Sequence, residues 1–207
     1  MTQVHLVRHG RTTWQDAGRV QGSFAGEGEP VLTDTGREQV CDAAGHLLRS
    51  LGRGEVRLVT SDLARAVESA TIIAEVLAEA RTGDRVNEPQ IEPWVDRRWR
   101  EQHLGTMEGL RRDELAPEPT PEGADVSEIR WAAGESLRDV HDRLRPALVA
   151  LEATPADVTD VVVVSHEHTI RVALAALRGH RHPWRRVDWS EPLPPGSVRS
   201  LTLPVPG

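Results

Sequence analysis

The sequence predicts an α/β fold: a three-layer α/β/α sandwich with a mostly parallel central sheet and a small cap insertion. Three observations carry this. Short apolar runs alternate with stretches of helical periodicity, the pattern of strands joined by crossover helices. The run Val161-Val162-Val163-Val164, bounded by Asp160 and Ser165, suits a central parallel strand buried on both faces. Polar residues stand directly behind three apolar runs, where open α/β sheets place their ligand sites.

The elements follow in order. A first strand spans 3–8 and turns at Gly10 into a Gly-rich loop, 18–30. Thr33 or Asp34 caps a helix that runs to about Leu51. Val56 to Thr60 is a second buried strand, and Leu63 to Glu79 carries apolar residues at helical spacing. Gln90 to Val95 reads as a short edge strand, limited by Pro89 and Pro93. Residues 110–133, rich in Pro, Glu and Arg with weak periodicity, read as a cap over the sheet edge. Gly134-Glu135-Ser136 opens a helix to about Ala153, and Ile170 to Leu177 continues as helix after the valine strand. Ser197 to Leu203 is a last strand, and the tail from 192 onward is Pro-rich. With 207 residues and no long linker, 1–207 is expected to form one domain, with the cap at about 110–133.

Composition narrows the chemistry. A formal charge of -7 argues against a broad nucleic-acid-binding face. All 25 basic residues are arginine, so Schiff-base and P-loop lysine chemistry is excluded, while bidentate anion binding is well supplied. There is no tyrosine to act as a phenolic acid. Cys41 is the single cysteine, so no internal disulfide forms, and its place in the Gly36–Leu51 stretch suggests a small buried thiol. No signal-peptide pattern and no membrane-length apolar run is visible, so a cytoplasmic protein without membrane partners is expected.

Three strand-to-helix junctions concentrate the reactive side chains: Arg8-His9-Gly10, Ser61-Asp62-Leu63-Ala64-Arg65, and Ser165-His166-Glu167-His168. In a parallel sheet all three lie at one edge. Two imidazoles and two guanidiniums then converge beside helix N-termini, whose free N–H groups favour anions. Each piece alone reads more readily as a turn histidine or a solvated arginine. The joint occurrence points to a phosphate site with a nucleophile inside it.

These residues resemble the histidine phosphatase superfamily, the phosphoglycerate mutase-like proteins. The resemblance spans nearly the whole chain. It rests on Leu6-Val7-Arg8-His9-Gly10-x-Thr12, then Trp14, Gly18-Arg19-Val20-Gln21-Gly22 and Leu32-Thr33-x-x-Gly36-x-x-Gln39. Ser61-Asp62-Leu63-x-Arg65-Ala66, Arg100-Glu101-x-x-Leu104-Gly105-x-x-Glu108-Gly109, Gly134-Glu135-Ser136 and Val164-Ser165-His166 follow in order. The resemblance implies that His9 attacks phosphorus and carries a phosphohistidine. Arg8, Arg65 and His166 would hold the phosphoryl oxygens, and Glu101 would protonate the leaving oxygen and then activate water. Thr12, Gln15, Gly22 and Ser23 fall at substrate-contacting positions, with Gln15 where an Asn is usual. A phosphate dianion nearby would raise the Glu101 pKa and keep it an acid.

The chain departs from the family pattern at two places. Arg11 stands where an acidic residue or Gln is usual, and adds charge at the rim or points to solvent. Glu167 stands where a glycine is common; it either points to the pocket mouth, favouring a substrate with a cationic or hydroxyl-rich group, or turns outward into solvent. His166 and His168 are two apart on a helix start, so they diverge, and no third metal ligand is evident. His103, beside Glu101, could support it or lie at the surface. The six tryptophans read mainly as packing residues, with Trp131 near the cap the best specificity candidate. No cofactor is implied.

The leading expectation is a metal-independent phosphomonoesterase acting on a small phosphorylated metabolite through His9. The alternative is mutase-type phosphoryl transfer, for which the insertion is short and acidic. A non-catalytic module that binds phospho-ligands is the third reading. Oligomeric state is left open, a dimer included.

Overall fold

The computed structural model describes residues 2–52, 54–81, 91–117, 119–155 and 157–203. A five-stranded sheet has the order β3-β2-β4-β1-β5, with β1 at Thr2–Arg8, β2 at Glu55–Thr60, β3 at Trp94–Val95, β4 at Val158–Ser165 and β5 at Val198–Leu203. β1 and β2 both pair parallel with β4, placing Arg8 opposite Ser165 and Thr60 opposite Val164. The carboxyl ends of all three strands therefore share one edge. The last strand, β5, pairs antiparallel with β1.

Beyond the short α1 (Thr13–Asp16), helices cover both faces. α2 (Asp34–Ser50) and α3 (Ala64–Arg81) pack with Val162 and Val164, while α4 (Leu137–Glu152) and α5 (Glu167–Leu177) pack with Val161 and Val163. The valine run thus feeds two cores alternately, as the period of a strand requires. Thr33 caps α2 through the Gly36 N–H, and Ser136 caps α4 in a capping box with Asp139. Each such cap is worth about 1 kcal/mol.

Several boundaries differ from expectation. The valine strand is longer, because flanking Val158 and Asp160 join the ladder. α5 begins at Glu167 rather than Ile170. The edge strand shrinks to Trp94–Val95, while Pro89 and Gln90 lie outside the described residues. Cys41 is exposed, not buried. α2 buries Gly36, Val40, Ala43, Ala44 and Leu47, and Cys41 follows Val40 by one helical step of about 100°, which turns it outward. The insertion at 110–133 contains three short 3-10 turns, Arg112–Glu114, Val126–Glu128 and Trp131–Ala133. Its start is bonded to the 18–20 loop through Val20 N–H to Leu110 O and Arg112 N–H to Gly18 O. Its end is tied to the Pro183–Arg186 turn by Arg185 on Glu128. Among the described residues, no helix is long and apolar enough to cross a membrane.

Candidate active site

The turn after β1 is pressed against the start of α2. A Cβ built on Gly10 would lie 2.2 Å from the Gly36 carbonyl oxygen, and one on Gly36 would lie 2.1 Å from the Arg11 carbonyl oxygen. The two glycines interlock because nothing larger fits. This packing carries His9, on the last residue before the turn, into a buried position at the sheet edge.

His9 donates from Nδ1 to the Gly10 carbonyl at 2.7 Å. A carbonyl only accepts, so the ring proton is on Nδ1 and Nε2 carries the lone pair. Burial, with Arg65 and Arg8 nearby, pushes its pKa well below the ordinary value. The result is a neutral, oriented imidazole. The His166 ring lies 5.1 Å away, centroid to centroid. His166 is also depressed well below its ordinary range, first by burial and then by Arg65. Its Nε2 bonds Ser61 Oγ at 2.9 Å, while Nδ1 is buried with no hydrogen-bond partner among the described residues.

Arg65 is completely buried. Its Nη2 donates to the Gly22 carbonyl at 2.7 Å, but Nε and Nη1 have no partner among the described residues. Burial lowers its pKa to about 10 against the pull of Glu101, Glu29 and Glu108. Arg8 keeps an unpartnered buried Nε, while its Nη1 is held by the Leu193 carbonyl and Glu167. Buried guanidinium N–H groups without acceptors are costly unless an anion fills the site.

Glu101 is buried, and accepts from the N–H of Gln102 at 2.9 Å and from those of His168 and Thr169 at 3.3 Å each. It therefore sits on the first turn of α5, where a helix favours a negative charge. Burial raises its pKa, but His168, the Gln102 N–H, Arg65 and Arg8 outweigh that and leave it below the ordinary value. Glu101 is therefore held as a carboxylate here.

The remaining expected residues have different tasks. Thr12 and Gln15 turn on one another: Thr12 caps the short helix Thr13–Asp16 and Gln15 Oε1 accepts from the Thr12 N–H at 3.0 Å. Thr12 also donates to Gln21 at 2.9 Å. Gly22 holds a left-handed φ of 50°, and a Cβ there would strike the Glu108 carboxylate at 2.2 Å. Ser23 donates its N–H to that same carboxylate at 2.7 Å. Arg11 pairs with Asp16, so its charge is used locally.

Glu167 corrects the sequence reading. Its carboxylate bridges Arg8 at 2.7 Å and Arg171 at 3.1 Å, so it is not free at the pocket mouth to select a cation. The cause is proximity: on the first turn of α5 it faces the end of β1 and, one turn on, its own i+4 arginine. His103 is exposed, 4.0 Å from Glu108. Of the six tryptophans, all within the described residues, only Trp99 is fully buried; Trp94 and Trp189 are exposed.

Other residues shape the site without having been singled out. Asp62 grips Arg100 with two bonds, 2.6 and 2.7 Å, next to Glu101. Arg143 donates to the Arg100 and Glu101 carbonyls from the far side. Glu108 ties Ser23 to the Leu104 N–H. Ser61 and Asp62 lie inside the second junction motif, which was the available signal; Arg143 has none. No group of three or more metal-binding side chains is assembled among the described residues.

The sequence profile of the histidine phosphatase superfamily (branch 1) matches residues 4–203. The chain belongs to the histidine phosphatase superfamily. Among similar proteins, a glucosyl-3-phosphoglycerate phosphatase of Mycolicibacterium vanbaalenii is 34% identical over 183 residues, covering 84% of this chain and 73% of that one. A probable phosphoglycerate mutase, GpmB, of Serratia proteamaculans is 30% identical, covering 86% and 76%. A solved structure of a mycobacterial glucosyl-3-phosphoglycerate phosphatase with VO3 superposes with a TM-score of 0.73 at 28% identity, covering 98% of this chain and 93% of that one. The protein is thus an enzyme of the superfamily's phosphatase kind, with the superfamily's sheet and flanking helices.

Proposed function

We propose that this enzyme hydrolyses a small phosphorylated metabolite through a phosphohistidine on His9. The observation that carries the reading is the set of buried, unpartnered donors around His9: Arg8 Nε, Arg65 Nε and Nη1, and His166 Nδ1. In this reading Ser61, whose Oγ already accepts the Leu63 N–H, donates to His166 Nε2, which leaves the ring proton on Nδ1 to join the set. These groups hold the phosphoryl oxygens of a dianion and offset the charge that spreads over them in the transition state. His9 Nε2 attacks phosphorus as the ester P–O bond breaks, and Glu101 gives the leaving oxygen its proton. Glu101 then takes a proton from water, whose oxygen attacks the phosphohistidine and releases phosphate. The arginines and His166 supply the charge neutralisation, so no metal step is required by this route.

Gly22 and Ser23, locked by Glu108, form the wall that meets the substrate. Thr12 and Gln15 position the loop beneath it. The 34% identical relative makes a glucosyl phosphoglycerate the first ester to try. Sugar phosphates and phosphoglycerates come next. A cytoplasmic location and a soluble, small-molecule partner accompany this reading; phosphoryl transfer to a second hydroxyl is the other reading, supported by the likeness to a probable phosphoglycerate mutase. Against it, Arg111 and Arg130 of the insertion region, which could hold a substrate carboxylate, are already paired with Asp113 and Asp139.

The test is phosphate release from a panel of phosphomonoesters with EDTA present, for the native enzyme and His9→Ala. Release that survives EDTA and disappears in the variant is expected. A native enzyme that releases nothing but isomerises 3-phosphoglycerate would overturn hydrolysis in favour of transfer.

A further inference from the structure

We propose that His168 is the proton partner of Glu101, holding at rest the proton that Glu101 must carry when substrate is bound. The inference rests on the reading of Glu101 as the acid that serves the leaving group. It starts from a conflict in the site. The acid step needs a protonated carboxyl, yet Glu101 lies on the N–H groups of α5 as a carboxylate. A proton must reach it inside a buried pocket.

Three imidazoles are nearby, and two are poor sources. His9 and His166 are kept neutral by burial and by Arg65. His168 differs in geometry. Its Nδ1 lies 4.0 Å from Glu101 Oε1, is buried, and has no hydrogen-bond partner among the described residues. The rest of the ring reaches outward: 29% of the side chain is open to solvent, and its edge meets the exposed Trp189 at 5.4 Å. One ring therefore spans from solvent to the carboxylate. The charged groups facing this pair are Arg8 from β1 and Arg65 from α3, on the Glu101 side, and Arg171, stacked on Trp189 at 5.1 Å. Glu167, the adjacent carboxylate, is committed to Arg8 and Arg171 and does not compete for His168.

The proton balance closes. In this exchange His168 Nδ1 starts with the proton and Glu101 without it. When the phosphate dianion enters, its charge favours protonation of Glu101. The Nδ1–H bond of His168 breaks as the Oε1–H bond forms, leaving two neutral groups. The ring closes the 4.0 Å gap by a small rotation or through one water. Glu101 spends this proton on the leaving oxygen and regains one from water in the second step. It returns that proton to Nδ1 as phosphate leaves. Histidine suits this exchange because it trades protons near neutral pH.

The experiment compares native enzyme, His168→Asn, His168→Gln and Glu101→Gln on two esters. One is 4-nitrophenyl phosphate, whose leaving group departs without help; the other is glycerol 2-phosphate, whose alkoxide needs a proton. In kcat/KM, which reports transfer to His9 and not the later hydrolysis common to both esters, His168→Asn and His168→Gln should each lose about tenfold on the alkyl ester and less than about twofold on the aryl ester, within the range of general-acid effects, and every loss below is read in kcat/KM. Their alkyl-ester loss should grow toward higher pH. Equal loss on both esters would mark a merely structural role, and no loss on either would show that Glu101 needs no partner; both overturn the proposal. Glu101→Gln separates the two readings. If its own loss does not depend on the leaving group, the assignment of Glu101 as acid fails. If it does depend and the His168 variants do not, the proton partner alone fails.

Discussion

Two buried histidine clusters sit on the same two strands and have opposite fates. His5 in β1 uses both ring nitrogens, with Ser200 Oγ at 2.8 Å and Asp160 of β4 at 3.1 Å. Asp160 in turn accepts from the Gly52 N–H and the Thr159 hydroxyl. At the carboxyl ends of β1 and β4, His9 and His166 are equally buried, but no carboxylate is paired with either ring among the described residues, and the His166 Nδ1 is left without a partner. Burial is the same in both places. Satisfaction of the polar atoms differs, and that separates a histidine that supports the sheet from one that works at its edge.

The comparison breaks most sharply at His9. His9→Ala should abolish phosphate release, a fall of about 10⁴ or more, while leaving the thermal midpoint unchanged or higher. A phosphate assay and a melting curve check both halves. At the other cluster the outcome should invert. Asp160→Asn places an N–H2 where the carboxylate served three partners, and should cost about 1–3 kcal/mol in a urea titration, with kcat/KM within about twofold.

A pH series sharpens the contrast next. His9 and His166 have folded pKa values below the ordinary 6.5, so the unfolded chain binds the extra protons. Their effect is that stability falls as pH drops below about 6.5 and is recovered above it. Each contributes a slope approaching about 1.4 kcal/mol per pH unit, so His166→Asn should flatten the profile between about pH 5 and 6.5. An unchanged slope would mean that His166 is not held neutral. The smallest effect concerns Glu167. Glu167→Gly removes the charge that neutralises Arg8, and inorganic phosphate should inhibit about fivefold more tightly, of the order of 1 kcal/mol for a partly exposed pair. Inhibition constants for the two forms measure it.

Much of this was legible in the chain. The four valines announced the central strand because a strand buried on both faces cannot alternate. Arg8, His9, Arg65 and His166 were legible because each follows a strand that parallel pairing brings to one edge. What stayed hidden depends on side-chain direction and on distant partners. Cys41 and Val40 differ by one helical step, which local composition does not resolve. The bridge from Glu167 to Arg8 needs the spacing between β1 and α5, and the Leu193 carbonyl beneath Arg8 comes from the far end of the chain. Gln15 was read as a substrate contact; that its oxygen also caps its own helix was not legible. The resting charge of Glu101 follows from three N–H groups and from His168, none of which has a signature in sequence.

The interlocked glycines have a consequence for how this enzyme can change. A side chain on Gly10 would strike the Gly36 backbone, and one on Gly36 the Arg11 backbone two residues past His9, so neither can mutate without shifting the nucleophile's turn. They form one heritable unit, closed to gradual exploration. Random variation in search of new substrates must therefore pass through the Ser23 loop and the 110–133 insertion, and a deep mutational scan under selection for a new ester should collect its survivors there.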